Sequence, residues 1–127
     1  MQVELGSPEA VLFSGECSRV VSRTVDGDIA FLDNHAPFIG ALDIGQTQLW
    51  AYDGVVSLAI NGGFVEVSGN AVTILSDAAL AAQDIDVADA QSDLQAAEQA
   101  LTADADDVEA AAAKKWAETR IQVSEAS

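Results

Sequence analysis

Residues 27–37 read Gly27-Asp28-Ile29-Ala30-Phe31-Leu32-Asp33-Asn34-His35-Ala36-Pro37. Asp26-Gly27, just ahead of this run, is a strong hairpin signal, because glycine accepts the positive φ of a tight turn. Ile29 to Leu32 is a short apolar strand. Asp33-Asn34 breaks it, Pro37 fixes φ and removes a donor, and Ala36 is pushed towards an extended conformation by the proline after it. The loop from Asp33 to Pro37 is therefore expected to be stiff and to lie on the surface, and it carries the only histidine of the chain, His35. Asn61-Gly62-Gly63-Phe64-Val65-Glu66-Val67 repeats the logic of a turn followed by an alternating strand.

On either side of these segments the chain reads as short strands separated by turns. Val3 and Leu5 alternate with polar neighbours, Val11 to Phe13 ends at a turn Ser14-Gly15, and Arg19 to Val25 is rich in valine. Phe38 to Leu42 ends at a turn Asp43 to Gly45, and Gln46 to Tyr52 alternates up to Asp53-Gly54. Trp50 and Tyr52 fall on one face of that strand, where core or rim packing is expected. Val55 to Ile60 is nearly all apolar, which predicts burial on both faces. Gly69-Asn70 turns the chain into Val72 to Leu75. Many short strands at this spacing predict a sandwich or barrel.

From Asp77 the composition shifts to Ala, Asp, Gln and Leu, with no Gly or Pro after Gly69. Asp86 suits an N-cap, and Val87, Ala90, Leu94, Ala97 and Leu101 form one helical stripe. Thr102 to Asp107 is a polar break. A second stripe follows at Val108, Ala112, Trp116, Thr119 and Val123. The two stripes predict an antiparallel helical hairpin whose alanine-rich contact is weak.

Composition limits what such a chain can do. Its 127 residues carry a net charge of −16, with eleven acids against two bases in residues 1–84 and ten against three in residues 85–127. That field repels nucleic acid and anionic membrane surfaces alike. No apolar run approaches the ~18 residues of a spanning helix, so direct membrane insertion is not expected. No signal region is evident at the N-terminus. The single cysteine, Cys17, reads as a small buried hydrophobe suited to a reducing compartment.

Residue types that carry catalysis are scarce. One histidine and one cysteine supply neither a nucleophile–base pair nor a metal set. Asp26-x-Asp28 hints at a calcium loop, but Ala30 and Leu32 break the ligand pattern. No phosphate loop exists. Lys114, Lys115 and Arg120 cluster on the second helix, either as a solvated face or as a contact for an acidic partner.

The Gly27–Pro37 stretch resembles the Gly-acidic-Ile-Gly-Ile-Leu-x-x-His-Ala-Pro stretch of the epsilon subunit of bacterial F-type ATP synthases. Gly62-Gly63-Phe64-Val65-Glu66-Val67 is similar to that family's Gly-Gly-Phe-Val-Glu-Val strand. Val72-Thr73-Ile74-Leu75-Ser76-Asp77-Ala78, Phe13-Ser14-Gly15 and Gln83-Asp84-Ile85-Asp86 also match, in order, over roughly residues 3 to 90. Ala30 and Asn34 stand where the family often has glycine.

The resemblance implies a ten-stranded sandwich of two five-stranded sheets over residues 1–84, more strands than the residues alone place, and a hairpin over residues 85–127. It implies a non-catalytic subunit of the central stalk, peripheral on the cytoplasmic face of a bacterial plasma membrane. There it links gamma to the c-ring in proton-driven ATP synthesis. By matched position, the Gly27-Asp28 turn faces the ring and His35, Ala36, Pro37 and Phe38 lie at the gamma contact. Lys114, Lys115 and Arg120 are candidates to touch the alpha/beta head transiently, with a weak brake on ATP hydrolysis expected because the hairpin is so acidic. Some relatives bind ATP through Ile-Asp-x-x-Arg-Ala. Here that segment is Ile85, Asp86, Val87, Ala88, Asp89 and Ala90, with an acid at the arginine position, so no cofactor is expected. Without the resemblance, the residues fit a free-standing sandwich adaptor whose hairpin docks a partner helix, or more weakly a small hydrolase using His35.

Overall fold

The computed structural model describes residues 1–126; Ser127, the last residue of the expected hairpin unit, lies outside them. The described elements run, in order, β1 (Gln2–Gly6), β2 (Val11–Thr24), β3 (Gly27–Leu32), β4 (Phe38–Ala51), β5 (Gly54–Ser68), β6 (Ala71–Leu75), β7 (Ala79–Ala81), one 3-10 turn (Ala82–Asp84), α1 (Val87–Ala103) and α2 (Val108–Glu125). One hydrogen-bonded path, β1-β6-β5-β4-β2-β3, joins the strands, with β7 on β5 and β1 returning antiparallel to β2. β1 and β6 pair in parallel.

Seven strands make ten strand segments, because β2, β4 and β5 each serve in both layers. The first sheet is Val11–Glu16 of β2, then β1, β6, the second half of β5 and the first half of β4. The second sheet is β3, the second half of β2, the second half of β4, the first half of β5, and β7. The turn expected at Ser14-Gly15 is regular strand, paired with Glu4 and Val3, while those expected at Asp43 to Gly45 and Asn61 to Gly63 are bends inside continuous strands. Each bend holds the glycine that a bend tolerates and a strand interior does not favour. At the β5 bend Gly62 and Gly63 have φ of 75° and 131°, and the Ser76 hydroxyl donates to the Gly62 carbonyl at 2.7 Å, pinning the corner.

Between the layers lie Val3, Leu5, Val20, Phe31, Leu49, Leu58, Ile60, Val65, Val72 and Ile74, each 2% exposed or less. Burying one such side chain contributes roughly 1.5–3 kcal/mol. The polar pair inside is satisfied, with Ser22 Oγ and Thr47 Oγ1 at 3.1 Å. Cys17 is buried and free, and its thiol is pushed up by that burial.

The expected double burial of Val55 to Ile60 holds for Leu58, Ala59 and Ile60, but Val55 is 50% exposed. α2 packs on β4 and β5, yet Val55 at the start of β5 stays open to solvent. Tyr52 is not a rim residue of the strand. It sits in the turn after β4 and is fully exposed.

Asp86 and Asp107 cap the two helices, accepting from the backbone N–H of Asp89 at 3.2 Å and of Ala110 at 3.0 Å. The α1 stripe is as expected in phase, with Ala90 and Ala97 buried. That of α2 holds only in its second half: Thr119 and Val123 are buried as expected, but Val108 is 80% exposed, Ala112 is exposed, and Ala110 and Ala117 are buried instead. A single stripe assumes a single partner. α2 lies between α1 and the sheet, so its burial is split over two faces.

Candidate functional site

The outward face of the first sheet carries an exposed apolar row beside a polar one, in which Ile39, Glu66, Thr73 and Glu4 stand side by side. Strand register puts Ala41, Phe64, Leu75 and Gly6 in one cross-strand row, with Val11 opposite Gly6. Ile39 lies two residues from Ala41 on the same face. Ile39 is 74% exposed, Phe64 65%, Val11 61% and Leu75 55%. Ile39, Phe64, Val65, Glu66, Thr73 and Leu75 enclose a shallow groove of about 220 Å³. A contiguous apolar patch of this kind marks an interaction surface, whereas scattered exposed apolar residues do not.

The loop expected to touch a partner adjoins this face. The His35 backbone N–H donates to the Leu32 carbonyl at 3.1 Å, and its ring Nδ1 donates to the Ala36 carbonyl at 2.7 Å. The ring stands edge-on to Phe31 at 5.0 Å, and Phe38 packs on Phe31 at 5.6 Å. Such contacts contribute about 0.5–1.5 kcal/mol each beyond burial. Ala36 and Pro37 are exposed, while His35 and Phe38 turn partly inward, so Phe38 hands the chain to the exposed Ile39. Asn34 has φ of 62°, a conformation that glycine and asparagine tolerate best.

At the β2–β3 turn Gly27 has φ of 116°, and Arg23 Nε donates to Asp28 Oδ1 at 2.9 Å. Of the three clustered bases, two are engaged. Lys115 Nζ donates to both oxygens of Asp43, at 3.0 and 3.2 Å, tying α2 to β4. Arg120 donates to Asp93 of α1 at 2.9 Å and lies over the Trp116 ring at 5.4 Å. Trp116 borders the groove between the helices beside Ala96, Ala97 and Ala100.

The segment Ile85 to Ala90 is occupied with helix formation: Asp86 caps α1, the Asp89 N–H binds that cap, and Ala90 is fully buried. Among the described residues no cluster of three His, Cys, Asp or Glu is placed to hold a metal.

The Lys115 ammonium, and secondarily the Ile44 N–H, hold the Asp43 carboxyl below its usual range. A depressed carboxylate contributes its stabilisation fully above the unfolded value of about 3.9 and loses it as pH falls through the lower folded value. Docking of α2 on the sheet is thus expected to be flat from about pH 5 to 8 and to weaken below about pH 4. Asp43→Asn is expected to remove that contribution at every pH. Near-ultraviolet circular dichroism across the acid range checks both.

Turn chemistry marks the loop from Asp33 to Pro37 in the sequence, whereas the outward face was not anticipated there. Its signal was there: Phe38-Ile39, Phe64-Val65 and Ile74-Leu75 are consecutive apolar pairs in strands, so both sheet faces at those points are apolar.

Comparison with known proteins agrees over most of the chain. The family described as ATP synthase, Delta/Epsilon chain, beta-sandwich domain matches residues 1–82. The ATP synthase epsilon chain of Brevibacillus brevis is 38% identical over 103 residues, covering 80% of this chain and 78% of that one. That of Lactiplantibacillus plantarum is 35% identical, covering 96% and 74%. Among solved structures, a chain of the Euglena gracilis mitochondrial ATP synthase (OSCP/F1/c-ring) superposes with a TM-score of 0.72 at 21% identity, covering 97% of this chain and 76% of that chain. At that identity the likeness is one of fold.

Proposed function

The chain belongs to the family of ATP synthase epsilon chains, and we propose that it is a non-catalytic rotor subunit that joins gamma to the c-ring in proton-driven ATP synthesis. The observation that carries this reading is the exposed apolar face built by Ile39, Phe64, Leu75 and Val11. A rotor part must transmit torque, so it needs one broad, dry, rigid contact. A sheet backed by a packed core provides that better than a loop. On this reading gamma covers that face and the adjoining loop His35 to Phe38, and the Gly27-Asp28 turn meets the ring.

The assembly then sits peripherally at the cytoplasmic face of a bacterial membrane. Among the described residues no helix is long and apolar enough to cross a membrane. Pull-down of the chain from membranes, read by mass spectrometry, is expected to recover gamma and c. Recovery of an unrelated helical protein without them would favour the adaptor reading.

Residues 1–84 and 85–127 act as separate units in this proposal. The hairpin touches the sandwich chiefly through α2, and the residues it buries there are small. A chain ending at Asp84 is expected to keep a cooperative melt. The hairpin acts as a weak brake at most: Lys115 and Arg120 are already spent on Asp43 and Asp93, which leaves Lys114 to meet an acidic head. Exposed pairs contribute only about 0.2–1 kcal/mol each. ATPase rates of the complex with full-length and Asp84-truncated chain are expected to differ by less than about tenfold, the equivalent of 1.4 kcal/mol.

A further inference from the structure

Asp28, Arg23, Asp43 and Lys115 form a chain of alternating charge from the β2–β3 turn to α2. Its two ends are direct contacts: Arg23 Nε to Asp28 Oδ1 at 2.9 Å, and Lys115 Nζ to Asp43 Oδ2 at 3.0 Å. The middle link is electrostatic. The Arg23 guanidinium is held charged first by Asp28 and further by Asp43, and the Asp43 carboxyl is held ionised first by Lys115 and further by Arg23.

Gly45 makes room for this arrangement. A Cβ there would stand 2.9 Å from Arg23 Cβ and 3.0 Å from its Cδ, so the arginine stem lies against β4 at Gly45, two residues along the strand from Asp43. The surroundings let it move. Arg23 and Asp28 border a polar cleft of about 190 Å³ with Gln46, Gln48 and Gln122, the last from α2, and the Arg23 side chain is half exposed.

We propose that Arg23 couples the β2–β3 turn to hairpin docking: a cationic side chain of a partner that takes Asp28 frees Arg23 to compete with Lys115 for Asp43, and α2 loosens. A second cation beside Asp43 weakens the hold of Lys115, and the two bases repel each other. The coupling is reciprocal by linkage, so an undocked hairpin leaves Asp28 better able to receive a cation. Because the four groups are partly solvated, the expected effect is about two- to fivefold in the docking equilibrium. This link is a property of the isolated chain and does not require the stalk reading.

The test uses the full chain with dyes on D53C and D104C, one in the β4–β5 turn and one at the hairpin tip; buried Cys17 escapes labelling. Single-molecule energy transfer at low salt reads the undocked fraction. Asp28→Asn is expected to raise it about two- to fivefold, by freeing Arg23. Arg23→Gln is expected to leave it unchanged or lower it, and Asp28→Asn added to Arg23→Gln to have no further effect. At about 1 M salt, where the screening length is about 3 Å, the Asp28→Asn effect is expected to vanish. An Asp28→Asn effect that is absent at low salt, that persists without Arg23, or that survives high salt overturns the coupling. Circular dichroism melts confirm that each variant is folded, as expected for changes at half-exposed side chains.

Discussion

Phe64→Glu is expected to prevent the chain from assembling into ATP synthase while leaving its own melt nearly untouched. Phe64 is 65% exposed and stands at the centre of the outward row, between Ala41 and Leu75. Its immediate neighbour Val65 points into the core and is fully buried, so the substitution leaves the interior alone. Surface changes of this kind move stability by no more than about 0.5 kcal/mol. In the assembly, a central aromatic anchor typically contributes 2 kcal/mol or more, and a buried carboxylate without a partner adds its desolvation cost. The sum is about 3 kcal/mol or more, which is about a hundredfold in affinity. Reconstitution with gamma, followed by size exclusion and melting of the free variant, checks both halves. Loss of the melt together with assembly would mean that Phe64 belongs to the core.

Gly63→Ala is expected to have the opposite pattern, strongly destabilising the sandwich itself. A Cβ at this position would stand 2.1 Å from the Leu75 carbonyl O and 2.8 Å from Ser76 Cα, both backbone atoms that no rotamer change can move. Its φ of +131° is in addition a conformation that L side chains rarely adopt. Backbone strain of about 1–3 kcal/mol and overpacking of similar size combine here to about 3 kcal/mol or more. In a domain this small that lowers the midpoint of the thermal melt by more than about 10 °C. Gly54→Ala is the control, because Gly54 has φ of +144° but nothing within 4 Å of its Cβ position. It carries the backbone term alone and is expected to lose markedly less. Equal losses for the two variants would mean that β5 does not approach β6 as closely as described.

Much of this was legible in the residues. Asp26-Gly27 and Asp53-Gly54 are isolated turn signals between apolar runs, and both close hairpins with positive-φ glycines. Asp86 and Asp107 precede helical periods, and both cap helices. The bends were not legible, because Asn61-Gly62-Gly63 looks locally like any turn. Only the pairing of both halves of β5 with one partner, β4, makes it a corner in a continuous strand. The parallel pairing of β1 with β6 joins residues some seventy positions apart, which no local pattern encodes.

The candidate site was half legible for a related reason. Turn chemistry marked the His35–Phe38 loop, but the outward face depends on which strands lie side by side. Val11, Ile39, Phe64 and Leu75 come from four different strands. The bases of α2 could be counted in the sequence, yet their partners Asp43 and Asp93 lie 72 and 27 residues away. Without those partners Lys115 and Arg120 looked available.

Site-specific photocrosslinking in assembled complexes tests the central claim most directly. A photoreactive residue is placed at position 64 on the outward face of the first sheet, at position 28 in the β2–β3 turn, or at position 55 on the second sheet as a control. The account predicts a gamma adduct from position 64, a c-subunit adduct from position 28, and no gamma adduct from position 55. A gamma adduct from position 55 with none from position 64 would contradict it, because the apolar face would then not be the face that the stalk covers.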